Sequence, residues 1–472
     1  MSHDGRVHLP VVDPPASSIA RDGRRNFVHP ADVKGRFVRL RYIVFAALIA
    51  IWALLPWVQV GGKPALYLDV AARRFYLFGG TYNSQDFWLV FFLLSGVGLT
   101  LFFATTVLGR VWCGWACPQT VFLEGVFRRI ERLVEGNRQA RLRRNAAPMS
   151  IDKLWRKALK HLLFAVAALG VSHIFLSFFV SMPSMLSMIG ASPSAHPGAF
   201  TWMAVTSVIL YGNFAWFREQ LCLIVCPYGR LQSVMTDRDS LVVGYDALRG
   251  EPRGKVKDAS AGDCVDCGRC VVVCPTGIDI RNGLQLDCIG CTACIDACDE
   301  IMTKLKRPTG LVRYDSLNGL EHRPRRWLRP RVFLYAGVVA LWAVGAFFAF
   351  RSHVSFEANL LRLRGAPYHV LNAQTEDATV RNLFQVHLVN KGPDEARFEI
   401  EAIPVDGHEV TLSADALALP SLSDREIAIY VDVPRERFEQ GQVVRVRVRR
   451  VDEVPGEGEE RLLEAPLLGP RR

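Results

Sequence analysis

Apolar stretches without any charged side chain divide most of the chain. They cover Tyr42–Val60, Phe87–Leu108, Leu162–Phe217 and Val332–Phe350. About 20 apolar residues are enough to cross roughly 30 Å of hydrocarbon as a helix. The third stretch has 56 residues, which is enough for two helices with a hinge in the proline-containing segment 183–197. The pattern therefore predicts a bundle of five membrane-spanning helices.

The last 118 residues follow a different pattern. Short segments rich in β-branched residues alternate between apolar and polar positions, as in Val444–Arg449. Such alternation is typical of strands that bury one face. We expect a small antiparallel β-sandwich of the immunoglobulin type. Its sequence shows no nucleophile, paired carboxylates or metal cluster, so we expect it to dock or position a partner. The predicted strands are Val380–Val389, Ala396–Val405, Glu426–Val433 and Val443–Val451.

The net charge of +11 is concentrated in two loops. Residues 109–160 contain twelve Lys and Arg, and residues 218–331 contain eighteen, whereas the loop after the first predicted helix contains three. Short cytoplasmic loops of membrane proteins carry such an excess. The distribution predicts a multi-pass protein of a bacterial inner membrane with a cytoplasmic N-terminus and a periplasmic C-terminal domain. The charge therefore indicates contact with membrane lipid rather than with nucleic acid.

Eight of the twelve cysteines lie between Asp263 and Asp299. They form two runs with the C-x2-C-x2-C-x3-C spacing of bacterial two-cluster ferredoxins, in which the fourth cysteine of each run ligates the other cluster. Zinc sites prefer more widely separated pairs, and disulfides need an oxidising compartment. The spacing therefore favours two [4Fe-4S] clusters. The predicted ligands are Cys264, Cys267, Cys270 and Cys298 for the first cluster and Cys274, Cys288, Cys291 and Cys294 for the second.

The other four cysteines form two matched pairs, each followed by proline. They are Cys113 and Cys117, and Cys222 and Cys226. Each pair follows a predicted membrane helix, so helices and pair together form an internal repeat. Residues four apart share one face of a helix, and two pairs brought together would make a four-thiolate site. Such a site suits Cu(I), zinc or an iron–sulfur cluster; the alternative is that these cysteines are buried and structural.

A weaker signal lies at the outer end of the third predicted helix. Met182, Met185 and Met188 are three residues apart, with His173 and His196 nearby. Thioether sulfur binds Cu(I), but packing of a methionine face against lipid or neighbouring helices is the favoured interpretation.

Together these features resemble a family of cytochrome c oxidase accessory proteins called CcoG, also FixG or RdxA. The resemblance is carried by the order of elements, the two Cys-x3-Cys-Pro pairs, the ferredoxin runs continuing through Cys274–Arg281, and Arg313–Ser316. It implies a membrane-bound polyferredoxin that reduces Cu(II) to Cu(I) during assembly of a cbb-type oxidase. It also implies that the eight ferredoxin cysteines bind the clusters, and it leaves copper or a further cluster open at the two pairs.

The predicted fold is a multi-domain membrane protein: a helical bundle with an inserted α+β ferredoxin domain and a C-terminal sandwich. The predicted boundaries are a polar cytoplasmic tail at 1–36, a four-helix membrane domain at 37–240, the cytoplasmic ferredoxin domain at 241–330, a fifth helix at 331–351 and the periplasmic domain at 355–472.

The predicted function is that of an oxidoreductase, a cupric reductase, with Cys113, Cys117, Cys222 and Cys226 as the redox site. Its partners would be a cytosolic electron donor and, on the sandwich, a copper chaperone or an oxidase subunit. Two alternatives remain: a quinol-linked electron relay to a periplasmic reductase, and a redox-sensing assembly scaffold without turnover. The sequence identifies neither the donor nor the oligomeric state, so a homo-oligomer stays open.

Overall fold

The computed structural model describes residues 27–470, except for gaps at 61–62, 71–72, 84–85, 259, 352–355, 364, 373, 375–377, 393, 404–408, 422 and 452–458. Most of the predicted polar tail, residues 1–26, lies outside the described part. The chain divides into two compact units. The first contains the described residues up to Leu68 together with Phe91–Ala346, and the second contains Asp69–Val90 and the residues from Phe347 onward.

The helices form most of the first unit. In chain order they are α1 Arg36–Leu54, α2 Phe87–Leu108, α3 Val111–Trp115, α4 Pro118–Phe122, α5 Arg128–Glu135, α6 Arg138–Ala146, α7 Ile151–Val180, α8 Met182–Ile189, α9 Pro197–Gly212, α10 Pro227–Met235, α11 Ala247–Gly250, α12 Arg269–Val272, α13 Ala293–Lys304, α14 Leu317–Leu320 and α15 Pro330–Arg351. Single π-helical turns lie at Leu123–Phe127, Asn213–Phe217 and Leu221–Val225, and 3-10 turns at Leu55–Trp57 and Ile280–Asn282.

Four of the helices in the described residues, α1, α2, α7 and α15, are long and apolar enough to cross a membrane. A helical membrane bundle is therefore confirmed, with one difference in detail. The fourth predicted crossing, in the second half of Leu162–Phe217, falls on α9, which has only 16 residues in α-helical form. The π-helical turn that follows extends the helical segment to Phe217.

The first helix begins at Arg36, six residues before the predicted start at Tyr42. Its charged first turns contact protein, because the carboxylate of Asp296 accepts hydrogen bonds from the amides of Phe37 and Val38 at 3.3 and 2.7 Å. These amides belong to the helix N-terminus, whose donors need external partners. The prediction was wrong because it treated every charged residue as lying outside the span.

A two-stranded antiparallel sheet closes the ferredoxin region at 241–330. Strand β6 pairs with β7, with Val243 opposite Tyr314. Around this sheet, Val243, Ile295 and Met302 form a buried core with several of the cysteines. The remaining strands outside the C-terminal region are short. The strands up to this point are β1 Gln59–Val60, β2 Lys63–Pro64, β3 Leu66–Asp69, β4 Arg74–Leu77, β5 Gly80–Asn83, β6 Val242–Tyr245 and β7 Val312–Asp315.

The second unit is dominated by two antiparallel sheets. One has the strand order β12-β14-β10-β8 with β9 on β10, and the other β13-β11-β15-β16. Alternate residues of β10, such as Val380, Phe384 and Leu388, are fully buried in a shared core. This is the arrangement expected of a sandwich. The strands are β8 Phe356–Arg362, β9 His369–Leu371, β10 Thr379–Asn390, β11 Ala396–Ile403, β12 Glu409–Leu412, β13 Ala416–Leu419, β14 Asp424–Pro434, β15 Val443–Val451 and β16 Glu460–Pro466.

A buried ion network links α5 to the segment after α9. The carboxylate of Glu131 is almost fully buried and pairs with Arg218 and, at 3.4 Å, with Arg141. Burial alone would raise the pKa of Glu131, but the surrounding cations, Arg218 first, lower it to about 2. Glu131 therefore stays ionised and compensates buried arginines.

We expect Glu131→Gln to destabilise the first unit by roughly 3–5 kcal/mol, since it leaves buried guanidinium groups without a counter-charge. Thermal unfolding of the purified protein in detergent measures this. The loss of unfolding free energy relative to wild type should be largest above the ordinary carboxyl pKa. It should shrink as pH falls towards 2, because the wild-type carboxylate is then protonated. The exposed pair of Asp152 with Arg156 offers the control Asp152→Asn, which should change little. Equal effects of both variants would contradict the prediction.

Candidate metal centre

The eight ferredoxin cysteines surround two separate cavities. The first is lined by Cys264, Cys267, Cys270 and Cys298, and the second by Cys274, Cys288, Cys291 and Cys294. Cys270 lies between the cavities and lines both of them. Each cavity therefore receives the three closely spaced cysteines of one run and the fourth cysteine of the other. The remaining lining is mostly apolar, including Val243, Ile280 and Met302. Four thiols around a dry cavity fit the needs of a [4Fe-4S] cluster.

The backbone explains why three cysteines of each run converge. Both runs adopt left-handed conformations at the same two positions: Asp266 and Gly268 in the first, with φ of 52° and 64°, and Gly290 and Thr292 in the second, with φ of 68° and 65°. These residues reverse the chain direction between cysteines. Helices α12 and α13 then begin directly after Gly268 and Thr292, so the third cysteine of each run lies in a first helical turn. The local geometry is repeated like the sequence.

Burial controls the charge state of three of these thiols. It raises the pKa of Cys270, Cys291 and Cys298 to about 12 in each case. Arg281 acts in the opposite direction on Cys270, and Arg41 does so on Cys291. Without metal these thiols are therefore neutral at physiological pH. Iron binding must displace their protons, because the thiolate is the ligand.

Reconstitution of the clusters in the metal-free protein should accordingly rise with pH. Raised thiol pKa values mean that proton release opposes iron binding at low pH, so the fraction loaded at fixed iron should increase from about pH 6.5 to about pH 8.5 and beyond. Visible absorbance of the clusters measures this loading. As a control, iron binding by the chain unfolded in urea should level off near pH 8.5, the ordinary thiol pKa. Loading that is flat or falls with pH would contradict the burial argument.

The two Cys-x3-Cys-Pro pairs come together. Burial raises the pKa of the Cys222 thiol to about 12, and the three other thiols of the pairs add to this effect. Burial likewise raises the pKa of Cys113 to about 11, with further contributions from Cys117 and Cys226. All four thiols are therefore near enough to interact electrostatically. The repeat thus brings the two pairs near each other.

Within each pair, however, the two cysteines do not share one helical face as predicted. Helix α3 ends at Trp115, and Cys117 adopts an extended conformation before α4. Cys226 is extended in the same way before α10. The reason is the following proline, which disfavours helical backbone at the residue before it. The break therefore removes the second thiol of each pair from the helical face of the first.

No three His, Cys, Asp or Glu side chains among the described residues are close enough to hold a single metal ion. This applies to the ferredoxin cysteines and to the two pairs alike. A four-iron cluster is wider than one ion, so its ligands stand farther apart.

The backbone of the first pair lies directly against the second ferredoxin run. A Cβ atom on Gly114 would lie 2.7 Å from the carbonyl oxygen of Ile289 and 2.8 Å from that of Gly290. Only glycine permits this approach. The hydroxyl of Tyr314 donates to the Gly290 carbonyl at 2.8 Å and accepts from the indole of Trp115 at 3.3 Å. The segment of the first pair therefore packs directly against the segment that lines the second cavity.

Two further residues of the site were missed by the sequence reasoning. Gln232 is fully buried, and its side-chain oxygen accepts a hydrogen bond from the Cys113 thiol at 3.5 Å. Arg110 donates to the carbonyl oxygens of Cys288, at 3.2 Å, and of Gly229. It thereby connects the second ferredoxin run to the segment after the second pair. Neither residue carries a sequence signal beyond its proximity to a cysteine pair.

The methionine signal leads to a separate cavity of about 200 Å³. Met185, Met188 and Met203 line it, together with His173 and His196. Met182 is buried but does not line the cavity. Packing of the methionine face stays the favoured prediction, with Cu(I) binding as its alternative.

Comparisons with protein families match three parts of the chain. A 4Fe-4S binding domain matches residues 89–137, which include the first pair, and a 4Fe-4S dicluster domain matches residues 217–317, which include the second pair and both ferredoxin runs. An IG-like fold at the C-terminal of FixG matches residues 346–464. The predicted clusters and the immunoglobulin-like sandwich are thereby confirmed.

Several curated relatives are similar to this chain. The nitrogen fixation protein FixG of Rhizobium meliloti is 34% identical over 89% of this chain and 88% of its own length. Protein RdxA of Cereibacter sphaeroides is 35% identical over 81% of this chain and 83% of its own length. The ferredoxin-type protein NapH of Haemophilus influenzae is 24% identical over 45% of this chain and 67% of its own length.

Proposed function

The chain belongs to the FixG family, and from this premise we propose that this iron–sulfur electron-transfer protein of the membrane reduces Cu(II) to Cu(I). A cytosolic donor loses one electron for each Cu(II) reduced, and no thiol is oxidised. The copper released would serve assembly of a cbb-type cytochrome c oxidase. The observation that carries the proposal is the contact of Gly114, between the thiols of the first pair, with the second ferredoxin run.

The ligands of the two clusters follow the crossed pattern. Three cysteines of each run and the fourth of the other run surround each cavity. Bound [4Fe-4S] clusters supply one-electron carriers. The chain supports them by excluding water with apolar side chains and by placing Arg281 and Arg41 where they stabilise the negative charge of the Cys270 and Cys291 thiolates.

Cys113, Cys117, Cys222 and Cys226 form the proposed site for the copper substrate. Soft thiolates prefer Cu(I) to Cu(II), so binding here favours the reduced product. Gln232 positions Cys113 by accepting its hydrogen bond. The thiols are half-buried, which leaves copper a way in.

The proposed topology puts the ferredoxin region and the four thiols on the cytoplasmic side, where the basic loops lie. The sandwich at 355–472 would then be periplasmic and would hold a copper chaperone or an oxidase subunit. Anaerobic titration of the reduced protein with Cu(II), in the presence of a chromophoric Cu(I) chelator, tests the proposed activity. One Cu(I) should form for each electron lost from the clusters, and reoxidation without Cu(I) would refute it.

A quinol-linked electron relay is the second candidate. The similarity to NapH favours it, although that similarity covers less than half of this chain. Oxidation of a quinol analogue by the purified protein, followed as bleaching of the oxidised clusters, would decide for the relay. The absence of such oxidation, combined with copper reduction, would decide against it.

A further inference from the structure

A cavity beside the second ligand set has no role of its own in the electron-transfer site described so far, although Arg41, which acts on the Cys291 thiol, lines it. It has a volume of about 330 Å³ and lies between the segment before α1, helix α5 and the ferredoxin region. Seven cationic side chains line it, against two carboxylates, Asp32 and Glu124. This size is within the range of small-molecule sites. Its charge indicates an anionic ligand.

Three of the guanidinium groups are deeply buried and incompletely hydrogen-bonded. Arg41, Arg128 and Arg141 are only 3%, 7% and 4% exposed. Each has one nitrogen, Nη2 in Arg41 and Nε in the other two, without a hydrogen-bond partner among the described residues. Buried polar groups are nearly always satisfied, and exceptions need an explanation. A bound acceptor would supply one.

The positive charge of the cavity is only partly compensated. Arg128 pairs with Glu124 and Glu219, and Arg141 with Glu131. In contrast, no carboxylate of the described residues lies within ion-pairing distance of Arg39, Arg41 or Arg129: Arg41 donates to the Gly114 carbonyl at 2.7 Å, and Arg129 lies 3.7 Å above the ring of Tyr42. Of these three only Arg41 is buried, and a buried cation without a counter-charge is costly.

We propose that this cavity binds the phosphate group of a small molecule. Several guanidinium groups lining one cavity suit phosphate, whose oxygens accept paired hydrogen bonds from arginine. The phosphate could come from a soluble molecule, such as a flavin nucleotide, or from the headgroup of an anionic phospholipid, because the apolar part of α1 begins beside the cavity. The binding chemistry is the same for both.

The cavity also borders the second ligand set. Pro275, which follows Cys274, and Ala293, which precedes Cys294, form part of its wall. An anion at this place disfavours the reduced, more negative state of a neighbouring redox group, so phosphate binding should lower the reduction potential of the second cluster. This consequence rests on the proposed ligand assignment. Phosphate binding itself does not depend on the proposed function.

Binding is tested by calorimetry on the full-length, cluster-containing protein in a neutral detergent. Three probes are compared: inorganic phosphate, flavin mononucleotide, and nanodiscs of phosphatidylglycerol against phosphatidylcholine. The variant Arg39→Gln/Arg129→Gln removes two lining cations without leaving a known partner carboxylate unpaired. We expect it to bind at least about tenfold more weakly than wild type, since charge-assisted hydrogen bonds are lost.

The matched control is Arg143→Gln, an exposed arginine on the neighbouring helix α6 that does not line the cavity. It should bind like wild type. Binding of either soluble probe identifies a soluble ligand, and binding of phosphatidylglycerol alone identifies a lipid. Failure of every probe, or equal affinities of the double variant and the control, would overturn the proposal. No copper is needed, so the result is independent of copper reduction.

A second variant, Arg41→Gln, tests the buried part of the cavity, with iron content as the check of folding. Potentials measured by electron paramagnetic resonance should shift to more negative values when phosphate is added to wild type, and not in the double variant. Phosphate binding without this shift would refute the coupling to the second cluster.

Discussion

Replacing Cys298 with alanine is expected to remove one cluster and to leave the other intact. Cys298 belongs to the second run but faces the cavity of Cys264, Cys267 and Cys270. Its loss should therefore lower iron and acid-labile sulfide by about half, since each cluster holds four irons. Anaerobic iron analysis and electron paramagnetic resonance of the reduced protein measure the loss.

Double variants turn this result into a test of the crossed pattern. Cys298→Ala combined with Cys264→Ala should lose no more iron than either change alone, because both residues face one cavity. Cys298→Ala combined with Cys294→Ala should lose nearly all the iron, since Cys294 faces the other cavity. The opposite ranking of the two double variants would show that each run holds its own cluster.

The second large effect concerns the two cysteine pairs. Cys113→Ser/Cys117→Ser should reduce the rate of Cu(I) formation by more than about 100-fold, because loss of outer-shell partners alone costs 10–100-fold at metal sites. The paramagnetic signals of the two ferredoxin clusters should persist, as none of their proposed ligands is changed. Chelator absorbance under anaerobic conditions gives the rate.

The repeat supplies the matched comparison. Cys222→Ser/Cys226→Ser should cause the same loss, and changing all four cysteines should add little further loss, because the thiols form one site. Unchanged copper reduction in both double variants would remove these thiols from the mechanism. Loss of copper reduction in only one of the two double variants would mean that the two cysteine pairs have different functions.

The bounds of helices and strands were predictable where the pattern of apolar and polar residues was regular and the surroundings were the same along the whole element. Strand β15 has the predicted bounds, Val443–Val451, because alternating Val and Arg matches a sheet with one buried face. Helix α2 also has its predicted bounds, because its whole length is apolar. Helix α1 was misplaced, since its first two turns are charged and contact protein through Asp296 and Gly114.

The sequence by itself determined the chemistry of this protein. Cysteine spacing predicted two iron–sulfur clusters, and uncharged stretches of sufficient length predicted a membrane protein, because both signals depend on local distances along the chain. Only the tertiary structure decided that the two Cys-x3-Cys-Pro pairs converge, that Gly114 lies against the second ferredoxin run, and that buried arginines from α1, α5 and α6 share one cavity. These contacts join residues far apart in sequence, and no local pattern encodes the packing that brings them together.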